Sequence, residues 1–457
     1  MSRHYVISDL HLGMGHRGDG TLHPLEDFTS DATFRQLLDL IERESGDELV
    51  INGDWLDFLQ LEPLEAYPQD KLFSADGHRL GWTEKDSLKK FESCKSANAH
   101  RGFFDDLSSF LKSGRKLTVL MGNHDPDLFW DAVQSEVFQL LKPPERQQLE
   151  FVQTFIRRGT AHIEHGNQYS TPENKFYNPA NVFHQCTQDQ ETRLEMVWGS
   201  IFMMEFFNKL EEEYPFADNV KTQLRATFLG IKNHWLGGRE LAKMIKLLWR
   251  AGIPWGSLAE TMEAQTPDRL IQNLDDQELA VELLALYDSD PKIRREFDDE
   301  ITNHTSREEW RAIDSVDPLT SATQLEVRLS ELAPQIDEVS PTANILREDP
   351  ELRAARDFML KPDIKQVIFG HTHMEIDGAH PNAPVANYFN TGSWVGSLDL
   401  SKKENRRRLE SLAKEDLRDG SLYDLRVRYA LIEMGENGET SVSLESLQTL
   451  ERNNLVA

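Results

Sequence analysis

Short runs of aliphatic and β-branched residues recur along this chain, and each ends in a polar cluster that contains glycine. They are "HYVISDLHLG" (4–13), "DELVINGDWLDF" (47–58), "RKLTVLMGNHD" (115–125), "GTAHIEHGNQ" (159–168) and "IKQVIFGHTHM" (364–374), with "VANYFNTGSW" (385–394) as a sixth. Runs this short, bounded by turn-forming residues, predict buried strands. Between some of them the spacing changes to a helical period. In "DATFRQLLDLIERES" Phe34, Leu37, Leu38 and Ile41 fall on one face, with Asp31 as the expected N-cap. "FFDDLSSFLKSG" behaves alike and should stop at Gly114. "DPELRAARDFML" places Asp349 at a cap and Pro350 at the first helical position. Alternation of strand and helix argues for an α/β sandwich, whose chemistry gathers where strands end in loops. The C-terminal "LYDLRVRYALIEMGENGETSVSLESL" predicts two strands joined at a glycine turn, a hairpin that finishes a sheet.

Residues 172–345 break this pattern. Stretches such as "SIFMMEFFNKLEEEY" and "GRELAKMIKLLWRAG" have helical periodicity, and the second half is heavily charged. The expected organisation is therefore a core in two parts, 1–171 and 346–457, interrupted by a helical insertion or cap. The apolar run "MVWGSIFMMEFF" (196–207) reads first as the core of a helical subdomain or a homo-oligomer contact, and second as a lid over substrate.

Composition narrows the function classes. The chain has 457 residues, 39 % hydrophobic and 28 % charged, which suits a soluble protein with a sizeable core. Its formal net charge of −28 disfavours indiscriminate binding to nucleic acid or to anionic membranes. Two cysteines, Cys94 and Cys186, make neither a disulfide framework nor a zinc ribbon. No apolar run is long enough to predict a transmembrane segment. The first strand-like run starts at once, so a cytoplasmic location is expected.

The strand ends carry the chemistry. Asp9 and His11 are two apart, and on an extended chain they would point the same way; His371 and His373 repeat the spacing. Asp54 follows Gly53, Asn123 and His124 follow Gly122, and His165 precedes Gly166. Carboxylate, imidazole and amide oxygen together suit borderline divalent ions better than Ca²⁺. In "HIEHGNQ", His165 touches a glycine at a strand end and is the candidate ligand. His162, three residues earlier on a strand, should point to the opposite face and pack or hydrogen-bond beneath. Asp57 should brace its loop through hydrogen bonds. The role of Asn167 stays open.

With these residues in view, the chain resembles the calcineurin-like metallophosphoesterase superfamily. Its blocks stand here in order as "DLH" (9–11), "GDWLD" (53–57), "GNHD" (122–125), "HG" (165–166) and "GHTH" (370–373). The resemblance covers roughly the first 170 residues and the segment from about 350 onward. It implies a four-layer α/β/β/α sandwich with two divalent metals, Mn²⁺ foremost and Fe²⁺, Zn²⁺ or Ni²⁺ as alternatives. It implies that Asp9, His11 and His373 hold one metal, that Asn123, His165 and His371 hold the other, and that Asp54 bridges them. His124 would be the general acid, with Asp125 beside it to orient the ring. The implied reaction is hydrolysis of a phosphodiester or pyrophosphate by attack of a metal-bound hydroxide. The alternative is a Mn-dependent nuclease acting on DNA or RNA, alone or within a larger assembly.

The blocks fit the bacterial phosphodiesterase and pyrophosphatase-type branch better than the protein Ser/Thr phosphatases. The latter carry an arginine in the second block and end the third in glutamate. His16, Arg17, Asn174 and Tyr177, just after the first and fourth blocks, are the candidate substrate contacts. The basic run "KKENRRRLE" (402–410) reads as a solvated helix face before it reads as a phosphate grip.

Overall fold

The computed structural model describes residues 2–64, 68, 72–95, 100–169, 174–212, 219–221, 237, 239, 290–296, 350–399, 403–410 and 423–447. The chain divides into two compact units, one of Met1–Trp235, Ala251–Ile253 and Pro350–Ala457, the other of Leu236–Arg250 and Pro254–Asp349. Most of the expected helical insertion, Asp349 and Lys402 lie outside the described residues. In the second unit residues 291–296 are helical and Ile293 is buried.

The first unit is mixed α/β. Its strands are β1 (Ser2–Ile7), β2 (Glu48–Asn52), β3 (Leu72–Phe73), β4 (Arg79–Thr83), β5 (Lys116–Leu120), β6 (Leu149–Val152), β7 (Phe155–Arg158), β8 (Ala161–Glu164), β9 (Phe183–Gln185), β10 (Thr192–Glu195), β11 (Val220–Lys221), β12 (Gln366–Phe369), β13 (Glu375–Ile376), β14 (Tyr388–Thr391), β15 (Leu398–Asp399), β16 (Arg428–Met434) and β17 (Thr440–Ser446). One sheet has the order β17-β16-β1-β2-β5-β6, with β1, β2, β5 and β6 parallel. A second has the order β13-β14-β12-β8-β7, with β14, β12 and β8 parallel. The expected C-terminal hairpin is β16–β17, and β16 closes antiparallel onto β1.

Side-chain alternation along the strands assembles the sheets. Val6, Val50 and Leu120 of the first sheet share an apolar cluster with Ile163, Ile368 and Phe389 of the second. Tyr5, Ile7, Leu49, Ile51, Leu117 and Val119 point the other way, into a core with α1 (Asp31–Arg43), α2 (Glu84–Cys94), α3 (Arg101–Lys112) and α4 (Asp131–Leu141). On the second sheet Val367, Phe369 and Tyr388 pack with Ala355 and Phe358 of the helix Pro350–Met359. Phe34 stacks on Phe103 with ring centroids 4.0 Å apart, which joins α1 to α3.

Two expectations change. Ser30, not Asp31, occupies the cap position; Asp31 is the first helical residue, where its charge favours the helix dipole. The start of the expected helical insertion contains strands. β9 and β10 pair with β4 and β3 in a small antiparallel sheet of order β3-β4-β10-β9. The sequences "FHQ" and "TRLE" carry no apolar run to signal it. From Trp198 to Glu211 the chain is helical, with a π-helical stretch at Met203–Phe207. Met196, Val197 and Ile201 join the main core. That favours the core reading of the apolar run over the lid.

At the end of the strands away from the glycine clusters, a buried Glu48 ties the sheets together. Arg158 of β7 reaches its two oxygens at 2.6 Å each, Thr118 Oγ1 donates at 2.6 Å and His4 Nδ1 lies at 2.8 Å. Burial alone would raise this carboxyl, but Arg158 and His4 outweigh it and hold it well below the usual carboxylate range. Its contribution to stability is complete above the ordinary carboxylate pKa and is lost as pH falls below it. Glu48→Ala should therefore cost about 3–5 kcal/mol at pH 7, because Arg158 is left unpaired. Urea denaturation should show that cost, and the gap to wild type should narrow below pH ~4. A gap that stays constant with pH would contradict this role.

Candidate metal centre

Five loops meet at the C-terminal ends of β1, β2, β5, β8 and β12, three from one sheet and two from the other. Functional groups collect at such ends in open α/β sheets. The loops carry Asp9 and His11, Asp54 and Asp57, Asn123 and His124, His165, and His371 and His373.

The backbone there is strained in a consistent way. Asp9 (φ 54°), His11 (50°), Asp54 (50°), His371 (68°) and His373 (54°) are all left-handed. Left-handed non-glycine residues are uncommon, and they concentrate at functional sites. The extended geometry expected for Asp9–His11 and His371–His373 is thus not what brings each pair together. The strands end at Ile7 and Phe369, and a left-handed turn re-aims both members. Backbone bonds fix the loops: Leu10 and His11 N–H both donate to the Asp54 carbonyl, at 2.9 and 3.0 Å. Trp394 N–H donates to the Asp9 carbonyl at 3.0 Å. Two glycines are required by proximity. A Cβ on Gly122 would overlap the Asp54 carboxylate, and one on Gly370 would sit 2.6 Å from Asp9 Oδ2.

Two groups of side chains have metal-binding geometry, Asp9–His11–His373 and Asp54–His165–His371, with ligand atoms within 4.8 Å of one another in each. Asp54 Oδ2 lies 3.0 Å from His165 Nε2 and 3.8 Å from His11 Nε2, so it stands between the groups. His11 Nε2 and His373 Nε2 face each other at 3.1 Å, and His373 Nε2 is 3.4 Å from Asp9 Oδ1. Two ring nitrogens this close, beside carboxylates, mark a place for a cation. Asn123 Oδ1 is buried without a hydrogen-bond partner, and Asp54 Oδ2 and His165 Nε2 are buried with no partner but each other. Orphaned buried atoms of these types are the expected signature of ligands. The tautomers agree. His165 Nδ1 donates to the Asn52 carbonyl at 2.8 Å and His11 Nδ1 lies 3.0 Å from Asp57, so in both rings Nε2 faces inward. The residues present therefore fit divalent cations.

A third cluster, His11–Asp57–His124, reads as support for the rings. Asp57 Oδ2 already sits 3.0 Å from His11 Nδ1 and 2.8 Å from His124 Nδ1, one carboxylate oxygen serving both. The His11 and His124 rings meet edge-on with centroids 4.6 Å apart. This corrects the expected role of Asp125. Its oxygens accept the Trp55 and Gly122 N–H groups at 2.7 Å each, so it braces the second and third loops while Asp57 holds His124. Sequence adjacency suggested Asp125, but its side chain turns away from its neighbour's ring.

Other candidates separate. His162 lies beneath, 3.0 Å from Glu164 Oε2 and stacked on Phe358. His16 and Arg17 are exposed on a turn, and among the described residues nothing joins them to the cluster. Asn174 Nδ2 donates to His371 Nε2 at 3.3 Å, and Asn167 Nδ2 donates to the Asn174 carbonyl at 2.8 Å. Tyr177 is exposed, and its ring meets His78 at a tilt. Arg407 and Arg408 are exposed on the helix Lys403–Glu410. Reading the sequence missed Ser8 and Asn390. Ser8 Oγ bonds Asp9 and lies 2.6 Å from Thr391 Oγ1, and Asn390 Nδ2 donates to the Gly370 carbonyl at 2.7 Å.

No family model matches the chain, and no curated protein matches it in sequence. Among the described residues no helix is long and apolar enough to cross a membrane.

Without a cation His165 holds a proton and His371 does not. Burial opposes the charge on His165, but Asp54 outweighs it and raises the pKa to about 10. Burial and the neighbouring His165 push His371 down to about 3. Ligation needs a neutral ring, so a cation must displace the His165 proton. The apparent affinity for Mn²⁺ should fall roughly tenfold for each pH unit from 8 to 6, per proton displaced. Titration calorimetry in buffers of different ionisation enthalpy should register the released proton. Affinity independent of pH would contradict this assignment.

Proposed function

We propose that the chain is a phosphoesterase that depends on two divalent cations and hydrolyses a phosphodiester or pyrophosphate bond. The observation that carries this reading is two adjoining histidine–carboxylate groups, Asp9–His11–His373 and Asp54–His165–His371, with a further imidazole, His124, held by Asp57. The order of the sequence blocks supports it. So does the mixed α/β fold, in which two sheets share an apolar cluster and helices pack against them.

In this reading Asp9, His11 and His373 hold one cation, Asn123, His165 and His371 hold the other, and Asp54 serves both. Bound there, the cations supply positive charge for the phosphoryl oxygens and lower the pKa of the attacking water, with Mn²⁺ the first choice of metal. His124 is the proton donor. Its Nδ1 is held by Asp57, so Nε2 is the atom from which a proton reaches the departing ester oxygen. Asp57 fixes the orientation of the ring. The His124 side chain is 15 % exposed, which lets substrate reach it. Buried, unbridged Cys94 and Cys186 fit the cytoplasmic setting this reading assumes.

The Mn²⁺-loaded protein should hydrolyse bis(p-nitrophenyl) phosphate and stop on chelation. His124→Ala should lower kcat about 10²–10⁴-fold for esters with poor leaving groups, with a smaller loss for nitrophenol. Metal content should be retained. Full activity in His124→Ala, or no turnover across a panel of mono-, di- and pyrophosphate esters, would overturn the proposal. The same panel includes DNA and RNA. Their cleavage would move the conclusion to a nuclease, which the net charge of −28 disfavours.

A further inference from the structure

Beside the metal centre is a short row of tilted rings in contact that the chemistry above does not use. Tyr177 is 76 % exposed, far more than expected for a large ring. It lies on His78 with centroids 4.6 Å apart and planes at 38°, and His78 lies on His184 at 5.1 Å and 36°. Buried Glu195 anchors both ends. Its Oε1 accepts the Tyr177 N–H at 2.9 Å, and its Oε2 lies 3.2 Å from His184 Nε2. Singly exposed apolar residues are ordinary on surfaces. Three rings in contact, with the Tyr177 backbone and the His184 ring both tied to one buried carboxylate, form a platform whose outermost ring is exposed.

The platform adjoins the candidate metal centre at two points. Asn174, which donates to His371, is three residues before Tyr177, and that stretch of chain spans at most about 10 Å. On the other side, Ser200 Oγ donates to the Asn123 carbonyl at 3.4 Å, five residues after Glu195. A ring already held in place loses little freedom when a planar group stacks on it. Aromatic faces are also the usual surface on which proteins hold nucleobases.

We infer that Tyr177, backed by His78 and His184, stacks against a nucleobase carried by the scissile phosphate ester. This rests on the phosphoesterase reading and names its substrate class: a small nucleoside ester or pyrophosphate. A long polynucleotide fits poorly with a net charge of −28. Tyr177 acts as a specificity residue, and its ring face rather than its hydroxyl makes the contact.

The test compares two substrates with the same reacting bond, the p-nitrophenyl ester of thymidine 5′-phosphate and ethyl p-nitrophenyl phosphate, both with Mn²⁺. Wild type should prefer the nucleoside ester in kcat/KM. Tyr177→Ala should reduce that preference about tenfold or more, the size of one base stacked on one aromatic ring, and mainly through KM. Tyr177→Phe should retain the preference. A parallel calorimetric arm measures AMP against inorganic phosphate on wild type and Tyr177→Ala, and the affinity ratio should shift by a similar factor. If both esters are hydrolysed but neither ratio changes in Tyr177→Ala, the stacking role is overturned and the phosphoesterase reading stands. If no ester is hydrolysed but AMP binds through Tyr177, the phosphoesterase reading falls and the stacking contact stands. Loss of the preference in Tyr177→Phe would assign the effect to the hydroxyl and overturn the platform.

Discussion

The architecture of this chain turns on one buried carboxylate, Asp54. Its Oδ1 accepts the His124 N–H at 2.8 Å, and its Oδ2 faces His165 and His11. Its carbonyl takes the N–H groups of Leu10 and His11. Three loops of one sheet and one of the other are thereby oriented around a group that is fully removed from water. Burial would normally raise such a carboxyl, but the surrounding imidazoles keep it well below its ordinary range. An uncompensated carboxylate in that position would be costly. The left-handed residues and the glycines around it bring compensating positive groups close enough to prevent that.

The supporting structure follows the same division of labour. Polar atoms of the five loops face inward at one end of the sheets, while Glu48, Arg158 and Thr118 lock the other end. Between them the two sheets meet through an aliphatic and aromatic cluster, and Asn52 Nδ2 of one donates to the Glu164 carbonyl of the other at 2.8 Å. Strain at the site is held by a frame that has little reason to move.

Much of this was legible in the sequence. The strands that carry the ligand candidates are buried apolar runs, and the loop residues stand out because glycine must sit where side chains crowd. What the sequence obscured is geometric. A spacing of two residues between Asp9 and His11 suggests an extended chain, yet a left-handed turn achieves the convergence. Asp125 neighbours His124 in sequence, but the ring bonds Asp57, which lies on a different loop. β9 and β10 are short and polar, so their pairing with β4 depends on tertiary context that no local period reports. In the sequence, only nearness to the fourth block marks Tyr177 as a substrate contact. Its ring contact with His78 brings together residues about a hundred positions apart and has no local signal.

The central claim is that Asp54 joins two cation sites in one cluster. Elemental analysis of the full chain, reconstituted with Mn²⁺ and freed of excess, tests it most directly when wild type is set beside Asp54→Asn. The account predicts two cations per wild-type chain and a loss at both sites in the variant, with the fold intact by circular dichroism. A wild-type chain that takes up none, or an Asp54→Asn chain that still holds two with unchanged affinity, would contradict it.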